Sequence, residues 1–169
     1  VWEIPRRLPA PERVAEAWER IKGPVAHKDW VWAKETLLLD ALIAKKRDVE
    51  VEVQAIQVGP VVCLSNPAEY FVSYGLQLKK RSGFPMTFPV ELANGCVGYV
   101  PDEEAFGPHG GGYETRLTSY SNLEITAGTQ FMNVGLELAA KMKPAKLPER
   151  PNGPAGKPWA YGDQPPQLK

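Results

Sequence analysis

The chain offers little on which a self-contained catalytic motif could be built. Its 169 residues include two histidines and two cysteines. Cys63 and Cys96 do not form a Cys-x-x-Cys pair, so neither a zinc knuckle nor a dithiol redox motif is supported. Each lies among apolar neighbours and reads as a buried thiol. A disulfide between them would need an oxidising compartment and close Cα atoms. No run approaches the roughly 18 consecutive apolar residues of a membrane span, and no signal-peptide pattern is present. Neither sign of charge predominates: twenty basic residues balance twenty acidic ones. That removes the electrostatic argument for nucleic acid or an anionic membrane as partner. Gly-x-Ser-x-Gly, His-Glu-x-x-His and Gly-x-Gly-x-x-Gly are all missing, which leaves a serine hydrolase, a zincin and a dinucleotide enzyme without support. There is no internal repeat. The first residue is Val1, not Met, and this reads as a processed or excised segment.

What is present is the material of one domain. A hydrophobic share of 43% is ordinary for a globular chain, and the length suffices for a single core. Pro11 at a first helical turn, followed by Val14, Trp18 and Ile21, predicts a helix that Gly23-Pro24 stops. Asp29 is a candidate cap for a second helix with Trp32, Leu38, Leu39, Leu42 and Ile43 on its apolar positions, closed by Lys45, Lys46 and Arg47. Val49, Val51, Val53 and Ala55 alternate with polar residues as in a half-buried strand. After a Gly59-Pro60 turn, Val61 to Leu64 read as a strand buried on both faces. A helix is expected from about Pro67, with Phe71, Tyr74, Gly75 and Leu78 in register. Met86, Phe88, Val90 and Leu92 alternate again, and Pro89 marks that strand as an edge or a bend.

From Asn94 to Tyr120 the chain is rich in glycine and aromatics without periodicity, as in a functional or disordered loop. A last helix is expected over Leu123 to Met142. From Pro144 onward there are seven prolines and no apolar run, so residues 144–169 read as an extended arm or linker. The expected fold is therefore α/β, a mixed sheet covered by helices, in one partial or small domain over residues 1–143. Residues 1–48 form a helical lead-in.

Three segments are candidates for chemistry. Asn66-Pro67-Ala68-Glu69 lies between a strand and a helix, where α/β folds build sites. A carboxylate at a helix start is also favoured by the dipole alone. Leu92-Ala93-Asn94-Gly95 is a strong turn signal, placed at the same sheet edge. Gly110-Gly111-Gly112-Tyr113-Glu114 allows close backbone approach. It is not a phosphate loop, because no Gly-Lys-Ser/Thr follows. His109 beside it reads as a solvated histidine of a polar loop.

In their order and spacing these segments resemble the later part of the neutral, non-lysosomal ceramidase domain, and most closely its shorter bacterial relatives. The resemblance spans residues 49–142. It runs through Asn66-Pro67-Ala68-Glu69, Phe71, Gly75, Thr87-Phe88, Leu92-Ala93-Asn94-Gly95, Gly98-Tyr99-Val100-Pro101 and Gly111-Gly112-Tyr113-Glu114. It implies a zinc hydrolase of the ceramide amide bond, with Glu69 and Tyr113 as metal ligands and Asn94, Gly111 and Gly112 as loop candidates for substrate binding. It also implies two histidine ligands from an earlier part of the domain, so the expected partner is that part, or a separate chain supplying it, with a lipid as substrate. His27 and His109 match neither histidine segment. The immunoglobulin-like domain that follows in ceramidases is replaced by the proline-rich tail. An extracytoplasmic or membrane-associated location follows from the resemblance alone. The alternative expectation is a catalytically degenerate chain that acts as a binding or structural module.

Overall fold

The computed structural model describes residues 1–25, 28–149 and 167. His27 and most of the proline-rich tail, residues 150–166 and 168–169, lie outside the described residues. The architecture is α/β, and the strands pair in both parallel and antiparallel sense.

The centre is a three-stranded sheet of β3 (Gln54–Val58), β4 (Val61–Ser65) and β6 (Met86–Val90), in the order β3-β4-β6. Gly59, in the left-handed region at φ +58, closes the antiparallel β3–β4 hairpin. A crossover through α3 (Val72–Arg81) returns the chain to β6, parallel to β4. α3 and α4 (Ala127–Ala140) cover one face of this sheet, burying Val62 and Leu64 against Tyr74, Leu78 and Phe131. Pro89 lies in an edge strand, where its missing N–H costs no ladder bond.

The other face of the same sheet is apolar and uncovered among the described residues. Ile56, Cys63 and Phe88 form one cross-strand row, and Val58, Val61 and Met86 the next. Ile56 is 56% exposed and Phe88 48%. β4 is thus covered on one side only, not on both as its apolar run suggested. Cys63 is half-buried on that outer face and Cys96 is exposed, so neither is the fully buried thiol expected, and both are free.

Two short sheets flank the centre. β1 (Trp2–Pro5) pairs antiparallel with β2 (Asp48–Val51), and β5 (Glu69–Tyr70) pairs in parallel with β7 (Tyr99–Val100). The alternation from Val49 to Ala55 is therefore two strands in different sheets. The chain leaves β2 after Val51, and Val51 and Val53 are both buried. β1 corrects the purely helical lead-in: Ile4 is fully buried between exposed Glu3 and half-buried Pro5. The helices α1 (Pro11–Arg20) and α2 (Lys28–Lys45) pack on each other. Arg116 stacks over Trp32 at 4.0 Å, which ties this hairpin to the irregular segment before α4. α4 begins at Ala127, four residues later than expected, because Leu123 is held by a bridge to Arg6.

The α3–α4 contact depends on one absent side chain. Gly128 lies so close to the Tyr74 ring that a Cβ there would stand 2.3 Å from it. The buried Tyr70 hydroxyl donates to the Gly128 carbonyl at 2.6 Å, and its ring stacks on Tyr74 at 4.6 Å. A Gly128→Ala substitution is expected to cost about 1–3 kcal/mol through overpacking, read as a lower urea midpoint. Burial, and then the neighbouring Tyr74, raise the Tyr70 pKa above its ordinary 10.0. A raised phenol is neutral in both states below pH 10 and ionises first in the unfolded chain above it. Unfolding free energy should therefore stay level to about pH 9 and then fall by about 1.4 kcal/mol per pH unit per proton. Tyr70→Phe should shallow that alkaline slope, measured by denaturation at stepped pH.

Candidate functional site

The segment Asn66–Glu69 turns away from the central sheet under a local constraint. The Asn66 side-chain oxygen accepts from the Ala68 N–H at 3.0 Å, an Asx-type turn buried in the core. That turn delivers Glu69 into β5, not into the first turn of a helix. α3 begins three residues later, at Val72. The Glu69 N–H donates to the Gly98 carbonyl at 3.0 Å, and the Glu69 side chain is half-buried.

The turn Leu92–Gly95 meets this segment, as expected. Leu92 N–H donates to the Ala68 carbonyl at 3.2 Å and Ala93 N–H to the Asn66 carbonyl at 3.0 Å. Leu92 and Asn94 both hold left-handed φ, 51° and 58°. For Leu92 that is a rare conformation, the kind kept only where surrounding structure imposes it. The Asn94 amide donates to Glu52 at 3.3 Å, so Asn94 is engaged at the β2–β3 junction.

The glycine loop follows a 3-10 turn at Glu103–Phe106. A Cβ on Gly110 would stand 2.0 Å from the Ala105 carbonyl oxygen, so that residue must be glycine for the loop to fold back. Gly111 N–H donates to the same carbonyl at 2.9 Å, and Gly111 and Gly112 take positive φ. His109 is exposed. Tyr113 leaves this loop 50% exposed, with its ring edge-on to Tyr99 at 5.1 Å and 88°.

Tyr99 is the residue that sequence reasoning left without a role. It is the register partner of Glu69 across β5 and β7, so both side chains stand on one face. Hydrogen bonding with Tyr113, burial, and then hydrogen bonding and charge from Glu69 raise its pKa above the ordinary phenol value. Glu69 and Tyr113, 44 positions apart by their numbering, thus meet at one tyrosine. Tyr120 stands 6.2 Å from Tyr99, ring to ring, and its carbonyl accepts from the Tyr99 N–H at 2.8 Å. Burial, and next the charge of Glu35, raise the Tyr120 pKa. The only hint in the sequence was density: Tyr99, Tyr113 and Tyr120 fall in one irregular stretch. Among the described residues, no group of three or more His, Cys, Asp or Glu side chains is placed to hold a metal ion. Glu69 and Tyr113 supply two oxygen donors, half of a tetrahedral set.

The loop bearing Tyr113 is anchored from the far end of the chain. The Arg7 guanidinium donates to the carbonyls of Leu123 at 2.9 Å, Ser121 at 3.0 Å and Thr115 at 3.3 Å, and lies over the Phe106 ring at 4.8 Å. Burial, and then Arg13, lower its pKa from the ordinary arginine value, but a guanidinium remains charged at any working pH.

No protein-family model, curated protein or solved structure matches the chain.

Removing the Arg7 fork would leave several partly buried carbonyls without donors. Arg7→Ala is expected to lower the unfolding free energy by about 2–4 kcal/mol. Arg7→Lys should recover little, because an ammonium cannot span three carbonyls as a planar fork does. Urea denaturation gives the first quantity. Amide exchange over residues 112–122 should show the loop losing protection before the central sheet does.

Proposed function

We propose that the chain is part of a zinc-dependent hydrolase of the neutral ceramidase type, cleaving an amide bond in a ceramide-like lipid. The convergence of Glu69 and Tyr113 on Tyr99 carries this reading, since two ligands of one ion must share a site although they come from separate segments. The donor chemistry suits the metal. Carboxylate oxygen is an ordinary zinc ligand, and a phenol serves once it has lost its proton to the cation's influence. Bound there, zinc would acidify a water and polarise the carbonyl under attack. The chain's own residues have simpler tasks. Glu69 supplies negative charge from a short strand, Tyr113 a second oxygen from the glycine loop, and Gly111 and Gly112 leave the approach free of side chains.

The reading also requires a partner that brings two histidines and covers the apolar outer face of the sheet. The sheet is mixed, so one open face is permitted, but a second layer over Ile56, Val58 and Phe88 would bury the apolar rows that now face outward. The same uncovered face favours a second reading, a catalytically degenerate chain that serves as a binding layer in an assembly. No helix among the described residues is long and apolar enough to cross a membrane.

Metal content separates the two readings. Alone, the chain should not retain stoichiometric zinc through dialysis, nor release fatty acid from a ceramide-like amide, because a catalytic site needs about three protein ligands. With a histidine-bearing partner it should gain both. Glu69→Ala should then weaken retention more than Tyr113→Phe, since it removes the charge that offsets the cation. Elemental analysis beside amide turnover makes the measurement. Equal zinc and turnover with both residues replaced would overturn the assignment.

A further inference from the structure

The outward face of the β3-β4-β6 sheet is neutral as well as apolar. Beside the rows Ile56-Cys63-Phe88 and Val58-Val61-Met86 it holds a third, Gln54-Ser65-Val90, because side chains of one face recur at every second residue. None of these side chains is charged, and Ile56, Val58, Met86, Phe88 and Val90 are exposed. A contiguous apolar patch of this kind marks an interaction surface. The β6 edge is a poorer one, since Pro89 has no N–H to offer an added strand. Charge is confined to the two ends of the face, and the ends differ in sign. Where β3 begins and β6 finishes stand Glu52, which accepts from the Gln54 amide at 3.0 Å, and Glu91. At the hairpin end stands Lys143, whose carbonyl accepts from Gln57, and Lys79, Lys80 and Arg81 close the helix that leads into β6.

We infer that this face pairs with the same face of a second copy of the chain, with the strands of the two sheets antiparallel. In a two-fold contact one patch serves both partners, so it must be complementary to itself. A neutral apolar centre meets that condition, whereas a charged one would set like against like. The ends then choose the orientation. An axis along the strands would lay acidic end on acidic end. An axis across the strands lays the Glu52 end of each copy over the Lys143 end of the other. Cys63, the middle residue of the middle strand, lies on that axis. Two stacked faces of three five-residue strands come near the lower bound of roughly 1,000 Å² for a specific interface, so the expected Kd is micromolar. The pairing needs neither zinc nor histidine, so it and the zinc reading fail separately. A histidine-bearing partner that covered this face would compete with the second copy.

The test is sedimentation of the full chain from about 2 to about 200 µM, a span that brackets a micromolar Kd. The wild-type chain should pass from monomer to dimer. Phe88→Glu, at an exposed position, should keep the circular dichroism and melting temperature of the monomer and raise the dimer Kd by about a hundredfold or more. Lys143→Glu should weaken the dimer by about tenfold, and adding Glu52→Lys should restore it. Iodoacetamide labelling, read by mass spectrometry, locates the contact. Cys63 should become less reactive as concentration rises, while Cys96, exposed in the loop beside Arg6, serves as the unchanged control. A chain that stays monomeric throughout overturns the inference. So does a monomer whose Cys63 is already shielded, which would give the face to the chain's own residues 150–169. A dimer that survives Phe88→Glu, or that leaves Cys63 labelling independent of concentration, lies elsewhere and overturns it too. If the double charge exchange fails to restore pairing, the antiparallel stacking falls.

Discussion

The three hydrogen bonds of the Arg7 guanidinium are what the candidate site depends on. Residues 107–126 include no helix or long strand, so their carbonyls cannot be satisfied within a ladder and must find donors elsewhere. Arginine suits the task because its planar fork offers five N–H groups in fixed directions. Arg7 serves Thr115, Ser121 and Leu123, while its own backbone N–H donates to the Asn122 carbonyl at 2.7 Å. Arg13 adds a bond to Leu117, and Ser119 donates to Glu35 of α2. The lead-in segment is therefore the scaffold on which the glycine loop is hung, and no mere extension of the domain.

That arrangement divides the work between two halves of the chain. The central sheet with α3 and α4 supplies the core, from Val62 and Leu64 to Phe131. It positions Glu69 through the Asn66 turn and Tyr99 through β7. The first 45 residues supply no candidate ligand among those described, yet they brace Tyr113 by way of the 115–123 carbonyls. Tyr99 stands where these two systems meet. Glu69 is held by strand pairing, whereas Tyr113 stands half exposed on the glycine loop.

Much of this was legible in residue order, and the reasons for the remainder are physical. Helical spacing located α1 to α4, and Gly59-Pro60 located the β3–β4 hairpin, because those signals are local. Pro89 marked an edge strand for the same reason. β1 was missed because four residues ending in proline carry almost no periodicity. The run from Val49 to Ala55 concealed two strands, since alternation records which residues are buried and not against which neighbour. Glu69 was expected at a helix start because its Pro-Ala-Glu context imitates one. The Asn66 side chain, acting as an acceptor, sent the backbone into β5 instead. Tyr99 acquired its meaning only from its pairing with Glu69, a long-range register that no local pattern encodes.

The strand Trp2–Pro5 and the two arginines that follow it bear on how quickly the domain can close. Their partners lie at 46–51 and at 115–124, and the Arg7–Leu123 bond closes a separation of 116 positions. β1 can pair with β2 across a separation of under fifty positions, whereas the Arg7 contacts require residues 115–123 to be in place. The hairpin of α1 and α2 and the β3–β4 turn can form without them, being local. Bringing Arg7 to Thr115, Ser121 and Leu123 bears the entropic cost of a very long loop. The contacts that steady the irregular segment before α4 are thus among the slowest of the fold to be made.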